Sequence, residues 1–161
     1  MYNNSAAVSR WSVAMGVTGG EIRELLGEHE GIRAHMRFLI RSRENLATRD
    51  VQAKERIWAY RCGLYDFKDA IQFHIEVDER IFKALPGDAS LKDPTEEHQE
   101  IQKVINELIE LADSAVIDRL GEEKLDQYTE KIRLAFNKIH DLIEAHITIE
   151  NAILEEALKK I

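Results

Sequence analysis

The sequence predicts an all-α protein, an up-down-up-down four-helix bundle, and three observations point to it. Apolar residues recur at helical spacing along most of the chain, and no alternating strand pattern competes. Only two prolines occur, Pro86 and Pro94, and they flank a Gly-Asp-Ala-Ser-Leu-Lys-Asp stretch that divides the chain into two helical halves. Each half carries one further break, between Leu46 and Asp50 in the first and at Gly121 in the second.

Thr18 followed three residues later by Glu21 reads as a capping box that opens the first helix. Ile22, Leu25, Leu26, Ile32, Met36, Leu39 and Ile40 give that helix its apolar stripe, and it should run to about Leu46. A second helix with Asp50 as N-cap carries Ile57, Leu64, Phe67, Ile71, Ile81 and Leu85 and stops before Pro86. Trp58, Tyr60, Tyr65 and Phe73 are expected to broaden its buried face. Asp93-Pro94 is an N-cap with proline at the first helical position, and Ile101, Ile105, Leu108, Ile109 and Ala112 lead a third helix towards Val116. After Gly121, Leu125, Ile132, Phe136, Ile139, Leu142, Ile143, Ile149, Ile153, Leu154 and Leu158 outline a fourth. At ~1.5 Å per residue these helices are roughly 35 to 55 Å long, which suits short antiparallel connections. Residues 1–17, with Trp11 and Met15, read as an N-terminal arm, and 18–161 as one bundle domain.

Composition narrows the function. A formal net charge of −8 without a basic stripe argues against nucleic-acid binding. The single cysteine, Cys62, forms no internal disulfide and reads as an inert core thiol, as is common in reducing compartments. No leader-like apolar segment and no run of about 18 apolar residues occurs, so a cytoplasmic protein without a membrane span is expected.

Six histidines are present, and four of them, His29, His74, His98 and His146, fall on the core stripes, one per helix. Any one alone would pass for an ordinary hydrogen-bonded core histidine. Two of them, however, have a carboxylate four residues on: His74-x-x-x-Asp78 and His146-x-x-x-Glu150. That spacing places imidazole and carboxylate on one helix face, so both carboxylates also point inward. A buried unpaired carboxylate is strongly unfavourable, and no lysine or arginine shares these stripes to neutralise it. One or two metal ions would do so while taking up the imidazole nitrogens. Mixed imidazole and carboxylate donors without thiolate suit iron or manganese more than zinc, and carboxylates from opposite helices suit a dinuclear centre. His29 and His74 sit at matching heights, roughly 15 Å from one bundle end, whereas His98 and His146 align only if helix three starts deeper or helix four overhangs. His35 and His140 lie at the core margin and are weaker candidates for a further ligand. Tyr60 and Tyr65 could stand behind the ligands, while Glu76, Glu79, Glu96 and Glu97 read as solvated faces.

The segments Glu28-His29-Glu30-Gly31-Ile32-Arg33, His74-Ile75-Glu76-Val77-Asp78-Glu79-Arg80-Ile81-Phe82, Glu97-His98-Gln99-Glu100 and His146-Ile147-Thr148-Ile149-Glu150-Asn151-Ala152-Ile153-Leu154 resemble those of the hemerythrin-like HHE cation-binding proteins. The resemblance spans about Gly20 to Leu158. It implies a di-iron centre with His29, His74, His98 and His146 as terminal ligands and Asp78 and Glu150 bridging or chelating the two irons. Two positions depart from the pattern. Oxygen-carrying members have a second histidine where this chain has Gln102, so a five-histidine site is not matched and reversible dioxygen carriage is not implied. Asp78 stands where the family usually has glutamate, and Glu79 would substitute only if the helix turned locally.

A ferritin-like site is disfavoured because no histidine has glutamate three residues before it. The leading expectation is a binding or sensing protein, rather than an enzyme, for a small diatomic ligand (oxygen or nitric oxide) or peroxide, or one that handles iron and redox stress. A di-iron redox or iron–sulfur repair protein ranks second, since such relatives generally carry an additional N-terminal cysteine-bearing domain not expected here. A metal-free helical interaction module is the third alternative. Oligomeric state is not legible in the sequence.

Overall fold

Backbone groups at a helix start need partners, and Thr18 and Glu21 supply them reciprocally. The Glu21 N–H donates to Thr18 Oγ1 at 3.2 Å, and the Thr18 N–H donates to Glu21 Oε2 at 2.9 Å, the expected capping box. From this cap α1 runs over Gly19–Glu44, with Arg41 and Arg43 in the last turn where the helix dipole favours cations. A short 3-10 turn, Asn45–Ala47, ends it at the expected place. The remaining helices are α2, Ala53–Ala84, α3, Thr95–Ile117, and α4, Glu122–Leu158. The computed structural model describes residues 17–47, 53–85, 95–117 and 122–160. Of the arm expected over 1–17, residues 1–16 lie outside the described residues, as do the Asp50 and Asp93-Pro94 caps and the Gly121 break.

The helices are antiparallel to their neighbours, as the pairs between them show. Arg43 pairs with Asn137 and His29 with Asn151 between α1 and α4; Arg61 pairs with Asp113 and Gln72 with Gln102 between α2 and α3. His98 meets His146, and Glu100 meets Lys138, between α3 and α4. Packing of the backbones runs α1–α2–α3–α4–α1, and among the described residues the diagonal helices meet only through long side chains, as where His74 of α2 approaches Glu150 of α4 at 3.5 Å. This is the up-down-up-down four-helix bundle. Among the described residues no helix is long and apolar enough to cross a membrane.

The interior holds two apolar zones with a polar layer between them. The larger, built on Tyr60, Leu64, Phe67, Val104, Leu108, Phe136 and Ile139, fills most of the bundle. The smaller packs Ile22, Leu25, Ile81 and Leu154 near the start of α1 and the end of α4. Between them lie His29, His74, Asp78, His98, His146 and Glu150, the six buried polar or charged side chains among the described residues.

Several expectations about the apolar faces are corrected. Trp58 and Phe73 are 58% and 59% exposed and Tyr65 is exposed too, while Tyr60 is fully buried. The stripe of α2 runs through Ile57, Tyr60, Leu64, Phe67, Ile71 and Asp78, and at about 100° per residue Trp58, Tyr65 and Phe73 fall roughly 120° to 160° round from it. Ile149 of α4 is exposed for the same reason, about 140° from the line through Ile143, Ile147 and Leu154. Cys62 is half-buried and not a core thiol. Truncating Phe136 to alanine should therefore cost about 3–5 kcal/mol, whereas Trp58→Ala should stay within about 0.5 kcal/mol; urea denaturation of the two variants checks the contrast.

Candidate metal centre

Each helix delivers one inward histidine to the polar layer, and α2 and α4 each add a carboxylate one turn on. All six residues expected from the sequence are brought together, none more than 4% exposed. His98 and His146 reach the same height because α4, at 37 residues, extends well past the 23 residues of α3. Their Nε2 atoms are 3.1 Å apart.

Glu150 is the hinge of the arrangement. Its Oε2 lies 3.1 Å from His29 Nε2 and 3.5 Å from His74 Nε2, while its Oε1 lies 2.9 Å from His146 Nε2. Asp78 Oδ2 lies 3.4 Å from His98 Nε2. Two sets of donor atoms result, each converging within 4.8 Å: Asp78, His98, His146 and Glu150 in one, and His29, His74 and Glu150 in the other. Each set could hold a metal ion. Both have the nitrogen and oxygen donors that suit first-row divalent metals, with no thiolate.

The outward nitrogens of the histidines face polar groups of the neighbouring helices. His29 Nδ1–H donates to Asn151 Oδ1 at 2.6 Å and His146 Nδ1–H to Glu97 Oε2 at 3.1 Å. His98 Nδ1 faces Glu79 Oε1 at 3.5 Å, and Glu28 Oε2 lies 3.6 Å from His74 Nδ1, beyond hydrogen-bond reach. The four contacts close a ring around the bundle. Glu28 of α1 faces the α2 histidine, Glu79 of α2 the α3 histidine, Glu97 of α3 the α4 histidine, and Asn151 of α4 the α1 histidine.

With a proton fixed on Nδ1, a neutral imidazole turns its Nε2 lone pair to the centre. At His29 that lone pair faces a carboxylate oxygen, and between His98 and His146 two ring nitrogens face each other. Acceptors cannot sit this close without a cation between them, either a proton or a metal. The side-chain oxygens of Asp78 and Glu150 accept no hydrogen bond of good geometry, and their ion-pair partners among the described residues are histidines alone. Orphaned buried carboxylates beside aligned imidazole lone pairs are what a metal ion would complete.

The electrostatics carry the same signature. Burial pushes the Asp78 carboxyl up, and the nearby Glu150 charge adds to it. Burial alone would raise Glu150 too, but the close approach of the His146, His29 and His74 rings outweighs it and holds this carboxyl low. For His146 burial favours the neutral ring, yet the contacts to Glu150 and Glu97 win and raise it to about 9. Without metal, a proton on His146 does part of a metal's work.

The groups behind the histidines differ from the sequence expectation. Glu79 and Glu97 read as solvated faces, but both turn to ring nitrogens of the site, while Glu76 and Glu96 are exposed as expected. Glu28 and Asn151 were not singled out. A signal existed: each of the four adjoins a ligand in sequence, about 100° round its helix and so towards the neighbouring one. Neither weaker candidate joins the centre, since exposed His35 stacks edge-on with Phe67 and His140 faces Asp141. Tyr65 donates instead to Asp113 at 3.1 Å, and Tyr60 lies in the larger apolar zone, about 21 Å along α2 from His74. Gln102 donates to Gln72 rather than turning inward.

Compared with known protein families, curated proteins and solved structures, the chain gives no match.

The stability of the metal-free protein should depend on pH through these shifts. The raised His146 ring contributes stability that is full below its ordinary value of 6.5 and lost as pH rises through about 9. The raised Asp78 carboxyl also loses its contribution as pH rises, whereas the depressed Glu150 keeps its own above its ordinary 4.5. Melting temperature in chelator should therefore fall from mildly acidic pH towards about pH 9, and Glu150→Gln should flatten most of that slope. A flat profile in the unaltered protein would contradict the assignment.

Proposed function

We propose that this chain is a hemerythrin-like, non-haem di-iron protein. In this reading His29 and His74 hold one iron, His98, His146 and Asp78 hold the other, and Glu150 is shared between them. The observation that carries it is the division of Glu150, one oxygen towards His29 and His74 and the other towards His146. Two positive ions are the simplest occupants of two donor sets joined by one carboxylate. Imidazole and carboxylate donors without sulfur favour iron, with manganese next and zinc less suited.

The assigned role is binding or sensing of a small ligand: oxygen, nitric oxide or peroxide. A six-coordinate ion held by His29, His74 and Glu150 keeps positions free for an outside molecule. Bound iron would supply the redox and ligand-binding chemistry. The chain's part is to hold four ring nitrogens and two carboxylates in place, to neutralise the ions, and to enclose them between two apolar zones that limit access of water.

Protein produced with iron should contain two iron atoms per chain by elemental analysis. It should also show ligand-to-metal absorption that changes on reduction and on adding nitric oxide. A metal that binds only the folded state raises its stability by about 3 kcal/mol at a hundredfold excess over Kd, or roughly 5 to 10 °C for a chain of this size. Identical melting with and without chelator, together with absent metal, would instead mark a metal-free bundle.

A further inference from the structure

Resting on the reading of a shared dinuclear centre, we propose that the two metal positions are unequal by construction. The position bounded by Asp78, His98 and His146 fills first and tightly, while the position between His29 and His74 fills second and exchanges its ion. Glu97 and Asn151, neither of which reaches the metal, act as positioning residues that set this inequality through His146 and His29.

Two observations carry the asymmetry. The first position gathers four donor residues and the second three, with Glu150 common to both, so the difference is Asp78 and its charge. A carboxylate contributes more to holding a cation than any neutral ring. The groups behind the rings differ in the same direction. Glu97 accepts from His146 Nδ1 at 3.1 Å and Glu79 lies 3.5 Å from His98 Nδ1, so both rings of the first position are backed by carboxylates. A carboxylate behind an imidazole raises its basicity as a ligand. At the second position Glu28 stands 3.6 Å from His74, much as Glu79 stands from His98, so the difference lies at His29, whose close partner is the neutral amide of Asn151 at 2.6 Å. The link from α4 to α1 is thus the one member of the ring that carries no charge. Occupation of the first position then deepens the difference, because an ion already beside Glu150 offsets the charge that both would use and repels the second.

Titration of the metal-free protein with cobalt(II), followed by calorimetry and by the visible bands of the bound ion, tests this. Two resolved steps are expected, the first at least tenfold tighter. Glu97→Gln preserves an acceptor but removes the charge, and it should weaken the first step about tenfold, shift the bands of the first equivalent and leave the second step little changed. Asn151→Asp adds the missing charge and should tighten the second step several-fold, narrowing the gap, while the bands of the first equivalent stay as they are. Helical circular dichroism of both variants should match the unaltered protein, since a folding defect would weaken both steps together. A single class of two equal sites, or variants that leave the two steps where they were, would overturn the inequality while leaving the dinuclear reading intact. Failure to bind cobalt at all would remove both.

Discussion

Two carboxylates taken out of water constrain everything else in this bundle. Asp78 and Glu150 are buried on diagonally opposed helices, and no lysine or arginine among the described residues reaches either. An ionised carboxylate in such surroundings is intolerable without opposite charge. Four imidazoles supply what charge the protein itself can offer, by retaining a proton on His146. That solution keeps the layer together but uses a ring nitrogen that would otherwise be free to coordinate. Proton and metal compete for one place, so occupancy, pH and stability are properties of a single cluster.

The bundle suits this task because its apolar zones lie on both sides of the polar layer. Ile22, Leu25, Ile81 and Leu154 close one end, and the larger zone from Ile32 to Phe136 closes the other, so the ligands sit on rigid helix interiors rather than on loops. His29, His98 and His146 are each held from behind by a residue of the adjacent helix, so these rings are fixed before any metal arrives. Pre-positioned donors bind with less loss of side-chain freedom, and they leave the layer costly when unfilled.

Much of this was legible in the sequence, for identifiable reasons. Helix ends are written locally, in Thr18 with Glu21 and in the two prolines, and a period of 3.6 places His74 over Asp78 and His146 over Glu150 without knowledge of any partner helix. The exposed Trp58 and Phe73 show the limit of the same method, since an aromatic side chain reads as core by type while its angle round the helix assigns it to solvent. Glu79, Glu97, Glu28 and Asn151 escaped because each acts across an interface, and which neighbour a marginal residue meets depends on how helices are paired and staggered. The overhang of α4, which lets His146 meet His98, belongs to that same class of information.

Diffraction at the iron absorption edge, on crystals grown from iron-loaded protein, addresses the central claim most directly. The account predicts two anomalous peaks, one on each side of the Glu150 carboxylate, with His29 and His74 beside one and His98, His146 and Asp78 beside the other. Loaded crystals with no peak in the polar layer, or with iron only at the bundle surface, would contradict it.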